Sequence, residues 1–361
     1  MKLFSWGANS YGQLGHGIQS EQCLYPTEAK IPDGFDDIVK IEAGGGHTIA
    51  QDSGGNVFGA GSNSHGQLAD CANNTVVLSK MRSLGEMRVT DVTCGWESSY
   101  FTVNGQLIVL GSNKAGQLGI SKSKVLTTSH PVVLPMQNVA QVSAGLRHAA
   151  LVTQAGHVLV CGTGKRGQLG ILGEDSKVPT KDCDSWERVA SLEGVVQVAC
   201  GQHHTLALTS DGRLLGWGDN RRGQLGEGTS LIPTPQLITT ADDADVVIRA
   251  GWTHSAMVSG GRVRSWGRNC YNQLGHSCGQ DQVADVNQLI SLQGVKQLEL
   301  GSEHNLALLE NGEVWSWGWN EHGNCGTGTI DNVVNPQKIC LPHPAFSISA
   351  GGGHSLALCA A

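Results

Sequence analysis

WGANSYGQLG, from Trp6 to Gly15, recurs six more times along the chain: AGSNSHGQLA from Ala60, LGSNKAGQLG from Leu110, CGTGKRGQLG from Cys161, WGDNRRGQLG from Trp217, WGRNCYNQLG from Trp266 and WGWNEHGNCG from Trp317. A second signature keeps the same beat of about 51 residues: AGGGHTIA (Ala43), CGWESSYF (Cys94), AGLRHAAL (Ala144), CGQHHTLA (Cys200), AGWTHSAM (Ala250), LGSEHNLA (Leu300) and AGGGHSLA (Ala350). Both count to seven, so internal repetition decides the architecture before domain boundaries are considered. Between the signatures, His304 to Leu309 reads as an apolar strand, Asn311-Gly312 as a tight turn and Val314 to Trp317 as the antiparallel partner. Six units carry such a turn. In the seventh, HSLALC runs out at Ala361, and LFSWG near the start supplies the missing partner, with Leu3 to Trp6 expected against Ser355 to Cys359. Ends that complement each other in register call for a closed ring rather than a capped solenoid. The expected fold is all-β: a single domain, residues 1–361, forming a seven-bladed β-propeller of four-stranded antiparallel blades, with the N-terminal strand completing the last.

Composition agrees. Glycine supplies 50 of 361 residues, twice the usual share of about 7 %, and only 15 % of residues are charged, which starves long exposed helices of a polar stripe. The net charge of -7 argues against nucleic acid as a partner. No apolar run reaches the ~18 residues of a membrane span, and MKLFSWGANS has no leader-like apolar core. The expected location is the cytoplasm, with the nucleus left open and no membrane insertion. Eleven cysteines without a C-x-x-C pair suit scattered thiols better than disulfides or zinc.

The paired signatures A-G-x-x-H-[ST] and W-G-x-N-x-x-G-Q-L-G, seven times over, resemble the regulator of chromosome condensation propellers across residues 1 to 361. Stretches such as GSEHNLALLENGEVWSWGWNEHG (Gly301 to Gly323) are most similar to a branch tied to secretion and small GTPases. The resemblance implies a guanine nucleotide exchange factor, regulating secretion or exocytosis by protein–protein binding, with no cofactor and no covalent chemistry. It implies that the x positions of A-G-x-x meet the GTPase, which on this chain selects Glu97, His203 and Glu303. It further implies a wedge-like insertion, for which Ile171 to Arg188 in the longest interval is the candidate. Two alternatives stay open. One is a scaffold that holds an exocyst-type secretory tether without exchange activity. The other, remote, is a UV-B sensor, which in this family uses Trp in three successive blades where this chain has only Trp96 and Trp252, three units apart.

Strand parity places all A-G-x-x and G-Q-L-G loops on one face and the hairpin turns on the other. Around that face the x pairs are Gly45-Gly46, Trp96-Glu97, Leu146-Arg147, Gln202-His203, Trp252-Thr253, Ser302-Glu303 and Gly352-Gly353. Trp96, Arg147 and Trp252 are the expected interface anchors, since aromatic and Arg side chains dominate such contacts. The glycine pairs of units one and seven read as bare. Lys165, Arg166, Arg221 and Arg222, with Lys114 nearby, form a basic cluster on the same face, suited to an acidic partner. His47, His148, His204, His254, His304 and His354 fall one per unit, so they encircle the axis and read as structural, bonded to strand backbone, not as metal ligands. Trp6, Trp217, Trp266 and Trp317 read as core. Gly162 to Gly167 fits G-x-G-x-x-G and Gly275 to Gly279 fits G-x-S-x-G, but each sits in a repeat turn without the required strand and helix context. A monomer is favoured.

Overall fold

Seven four-stranded antiparallel sheets surround an axis lined by their innermost strands: Ile38–Ala43, Asp91–Cys94, Val139–Ala144, Val195–Cys200, Val246–Ala250, Val295–Leu300 and Ala345–Ala350. The computed structural model describes residues 1–360 except 34, 36, 72, 86, 174–178, 181, 242, 244, 277–280 and 284. Blade 1 is typical, running outward from Ile38–Ala43 through His47–Asp52 and Val57–Ser62 to Asn74–Lys80. One short 3₁₀ turn, Arg82–Leu84, is the sole helix among the described residues. No helix there is long and apolar enough to cross a membrane.

Blade 7 joins the two ends of the chain. Its order is Gln22–Glu28, Lys2–Ala8, His354–Cys359, Ala345–Ala350, with Leu3 opposite Leu358 and Trp6 opposite Ser355. The expected register holds, and the N-terminal segment contributes more than anticipated, because Gln22–Glu28 adds the outermost strand as well. The segment Ile171 to Arg188 departs from expectation. Asp182–Arg188 is the outermost strand of blade 3, paired with Val158–Thr163, so the free excursion is shorter. Its base is closed by the Thr180 N–H donating to Ile171 O at 2.9 Å and by the bridge between Leu172 and Pro179. Residues 174–178 and 181 of that candidate lie outside the described residues.

Two glycine positions explain why the signatures tolerate nothing else. The glycine of W-G has φ between +98° and +115° in all seven units. A Cβ there would also lie 2.4–2.7 Å from the second x carbonyl of its own blade, so space and backbone conformation both select glycine. The glycine of A-G leaves room for the following imidazole: a Cβ on Gly44, Gly201, Gly251 or Gly301 would sit 2.1–2.2 Å from the ring Cε1 of His47, His204, His254 or His304.

Those imidazoles join blade to blade. Each Nε2 meets a side chain of the next blade: His47 with Ser99 (3.1 Å), His148 with Thr205 (3.0 Å), His204 with Ser255 (3.0 Å), His254 with Asn305 (2.9 Å), His304 with Ser355 (3.0 Å) and His354 with Thr48 (3.0 Å). The expected backbone partner is therefore wrong for Nε2; the strut is side chain to side chain. Each hydroxyl spends its proton on a G-Q-L-G carbonyl or its equivalent, as Thr205 does on Gln168 O at 2.8 Å, and Asn305 can offer only Oδ1, so the histidine must be the donor. Unit two has Ser98 in place of histidine and unit three Ala149 in place of the hydroxyl. There Tyr100 fills the gap, its OH donating to Gln117 O at 2.8 Å. Burial lowers all six imidazoles, His47, His148, His204 and His304 to about 3 and His254 and His354 to about 4, so they are neutral at pH 7. Trp6, Trp217, Trp266 and Trp317 are fully buried as expected, and each indole N–H also reaches a neighbouring blade, Trp217 donating to Gln168 O at 2.9 Å.

Candidate functional site

Seven backbone hydrogen bonds tie the two loop families into one surface. The N–H after each W-G glycine donates to the second x carbonyl: Ala8 to Gly353, Ser62 to Gly46, Ser112 to Glu97, Thr163 to Arg147, Asp219 to His203, Arg268 to Thr253 and Trp319 to Glu303, all at 2.8–3.0 Å. Within each N-x-x-G-Q-L-G loop the side chains pin the backbone from inside. Asn220 Oδ1 accepts from the Leu225 N–H at 2.8 Å, and Gln224 Oε1 from the Arg222 N–H at 2.9 Å. Side chains at the x positions therefore project from a rigid platform, the setting in which binding residues concentrate.

At the centre of that face Trp96 and Trp252 meet, with ring centroids 4.8 Å apart and planes tilted by 48°. Three units apart on a ring of seven is nearly across it, and both half-buried indoles fold inward over the axis. The glycine pairs explain how. A Cβ on Gly45 would lie 2.6 Å from Trp96 Cδ2, and one on Gly352 would lie 2.8 Å from Trp96 Cζ3. What reads in sequence as bare surface is the seat of the Trp96 ring. The two tryptophans thus cover the mouth of the axial channel, and their role as outward anchors is reduced to the edges they leave open.

Below them the channel is polar and internally paired. Lys40 bridges Asp91 and Glu42, the latter at 3.4 Å, and Arg249 grips Glu299 through two bonds of 2.9 and 3.1 Å. Burial pushes the Glu42 carboxyl up to about 7 against the pull of Lys40.

The structure gathers the basic residues on the loops of blades 3 and 4. Arg221 chelates the buried Asp219 with bonds of 2.7–3.1 Å, and Arg166 reaches the same carboxylate at 3.4 Å. Burial alone would raise the Asp219 carboxyl, but the hydrogen bonds and charge of Arg221, with Arg166 adding, hold it below the usual range. Arg147, Lys165 and Arg222 are exposed and form no ion pair among the described residues. Of the five cations two share one carboxylate and three have no ion-pair partner among the described residues, on a protein whose total charge is negative. His203 is half-buried among them and lowered, first by burial and then by Arg166.

Glu303, expected to meet a partner, lies beneath the face. It is buried at 5 % exposure, accepting from Thr253 Oγ1 at 2.7 Å and Gln273 Nε2 at 2.6 Å, with Arg268 at 3.7 Å. Burial raises its carboxyl in spite of these partners. It is an inter-blade strut beneath the face rather than a contact on it. Glu97 remains on the surface, its side chain 41 % exposed. Lys114 is engaged, donating to His65 Nε2 at 2.9 Å.

Three contributors escape the sequence reading: Asp219, which anchors two arginines; Tyr11, whose ring lies over Gly46; and Trp319, stacked edge-on with His322 at 5.3 Å. Treating the x pair of each N-x-x-G loop as a second ring would have exposed Tyr11 and His322. Of the motifs set aside, Gly162 to Gly167 sits at the end of strand Val158–Thr163 and its repeat loop, and no helix follows. Ser277, Cys278 and Gly279 of the other lie outside the described residues. Every described cysteine is free.

Residues 2–357 match the family model of the RCC1-like domain. The chain is 34% identical to the secretion-regulating guanine nucleotide exchange factor of Mus musculus over 388 residues, covering 99% of this chain and 83% of the relative. It is 30% identical to the ultraviolet-B receptor UVR8 of Arabidopsis thaliana over 334 residues, covering 89% and 74%. Among solved structures it is similar to Prp20p of Saccharomyces cerevisiae, described with its binding properties to Gsp1p and histones, at TM-score 0.87 and 26% identity, covering 99% and 90%.

Proposed function

The chain belongs to the RCC1-like domain family, and from that premise we propose that it is a guanine nucleotide exchange factor for a small GTPase, acting in secretion, with the A-G-x-x face as its docking surface. The carrying observation is the basic crescent of Arg147, Lys165, Arg166, Arg221 and Arg222 on that face, held on pinned loops and facing solvent. A crescent of this kind steers an acidic surface and fixes its register. An exchange factor accelerates release by binding the nucleotide-free GTPase better than the loaded one. Thr180, paired with Ile171, lies against Gly164 next to Lys165, and the segment between Ile171 and Thr180 is proposed as the element that reaches toward the nucleotide. The scaffold alternative uses the same face with no preference for nucleotide state. A cytoplasmic or nuclear location goes with either reading.

The experiment is capture of purified small GTPases, stripped of nucleotide or loaded with GDP, on the immobilised protein. At least one stripped GTPase is expected to be retained well above its loaded form. Arg147→Glu combined with Arg222→Glu should weaken capture at least about tenfold, with melting unchanged because neither side chain has an ion pair to lose. Asp211→Ala, on the hairpin face, should leave capture as it was. Equal capture of both forms would favour the scaffold, and loss through Asp211→Ala alone would place the partner on the other face.

A further inference from the structure

The half of the face opposite the crescent holds a groove of about 490 Å³ between Tyr11 and Trp96. Its floor is the dipeptide Gly45-Gly46. A Cβ on Gly45 would lie 2.6 Å from the Trp96 ring and one on Gly46 2.9 Å from the Tyr11 ring, so two aromatic walls stand over two adjacent residues that carry no side chain. One wall is packed in place and the other stands on a pinned loop. Trp96 is packed on Gly45, Gly352 and Trp252, and the Tyr11 N–H donates to Gln13 Oε1 at 3.0 Å. Tyr11 stays 48 % exposed.

Glu97 completes the lining. Its carboxylate accepts no hydrogen bond among the described residues, and the ring Nδ1 of His65 lies 3.9 Å away. The Lys114 ammonium is turned to His65 Nε2 instead. An exposed carboxylate without a donor, beside two aromatic faces and above a floor with no side chains, has the chemistry of a cation receptor. Aromatic faces attract cations, and among side chains arginine suits this one best. Its planar guanidinium stacks on rings and pairs in bidentate fashion with a carboxylate, while lysine does neither.

We infer that the Tyr11–Trp96 groove receives an arginine side chain from an exposed segment of a protein partner, with Glu97 as counter-ion. The inference deepens the docking-face reading: the crescent takes the partner's acidic surface and the groove takes one basic residue, which fixes orientation. It rests on that reading for the identity of the partner. The groove's own chemistry is testable without any GTPase, so failure of exchange and failure of the groove give different results.

The probe is acetyl-Gly-Arg-Gly-amide, titrated into the full chain and followed by the NMR signals of Trp96 and Tyr11, with the citrulline peptide as the neutral isostere. Saturable shifts with a millimolar dissociation constant are expected for arginine, and binding weaker by about fivefold for citrulline, the order a single exposed cation contact supplies. Glu97→Gln and Tyr11→Ala should each lose a similar factor, and Asp211→Ala, on the hairpin face, should change nothing. Both groove variants replace exposed side chains, and an unchanged melting temperature verifies the fold. Equal affinity for the two peptides, absence of saturation, or an unaffected Glu97→Gln variant would overturn the inference.

Discussion

Deleting Met1–Gly7 is expected to abolish cooperative folding. The deleted segment is the third strand of blade 7, and without it His354–Cys359 loses its outer partner while Gln22–Glu28 has nothing to pair with. Leu3, Phe4 and Trp6 leave the core with it, each at 5 % exposure or less, and the Trp6 indole abandons Asn324 O in blade 6. Removing one buried aromatic side chain typically costs about 3–5 kcal/mol, and three large apolar residues together match the whole stability of an ordinary protein. Two exposed strand edges then invite aggregation. Size-exclusion chromatography and urea unfolding check this; a monomer that melts normally would refute the closure. A permuted chain gives the positive control. Alignment of blade 7 with blade 6 sets Ala361 against Asn311 and Met1 against Gly312, so joining the ends with Asn-Gly at those positions and opening the chain at Gly54-Gly55 should yield a folded protein.

The second large effect is acid unfolding. Six imidazoles are neutral in the fold, with values of about 3 to 4, against about 6.5 in the unfolded chain. A group depressed in this way contributes fully above its unfolded value and loses that contribution as pH falls, because the unfolded chain takes up protons first. Each histidine withdraws about 2 kcal/mol between about pH 7 and pH 5, and six withdraw roughly 11. Glu42 works in the opposite sense. Its folded value of about 7 lies above the unfolded one, so it returns about 2 kcal/mol over the same interval. The net loss is of the order of total stability, and unfolding near pH 5 follows. Unfolding free energies from denaturant titrations at a series of pH values test it. His204→Gln, whose amide retains a donor for Ser255, should reduce the slope by about 1.4 kcal/mol per pH unit, one proton's worth. A flat profile from pH 7 to 5 would contradict the neutral ring.

The repeat and its closure were legible because their causes are local. A hairpin turn, a glycine forced to positive φ and an apolar strand each leave marks at fixed spacing, and the marks for blade 7 are split between the two ends of the chain. The outermost strands left no such mark. Asp182–Arg188, DCDSWER, meets solvent along one side and carries no clear apolar alternation, which is why it was read as part of an insertion. The face was legible as a ring of letters but not as a surface. Trp96 and Trp252 stand apart in sequence, yet their rings are long enough to meet over the axis, and the glycines beneath Trp96 are empty only until a neighbour's side chain is laid across them. The burial of Glu303 depends on Gln273 and Arg268 reaching across from the adjacent blade, a relation that one repeat unit does not encode. The basic residues lie together because they occupy loop tips of adjacent blades, but that Arg166 and Arg221 turn to Asp219 and Lys114 to His65 is not encoded in one repeat.

On the proposed function, the basic half of the A-G-x-x face drives nucleotide release from a small GTPase. Release of fluorescent GDP from the GTPase selected by capture, measured with wild-type protein, with Arg147→Glu/Arg222→Glu and with the excursion between Ile171 and Thr180 shortened, tests it most directly. The predicted result is accelerated release with the wild type and loss of most of that acceleration in both variants, with melting temperatures unchanged. Release at the intrinsic rate with wild type, or acceleration retained in full by the charge-reversed face, would contradict it.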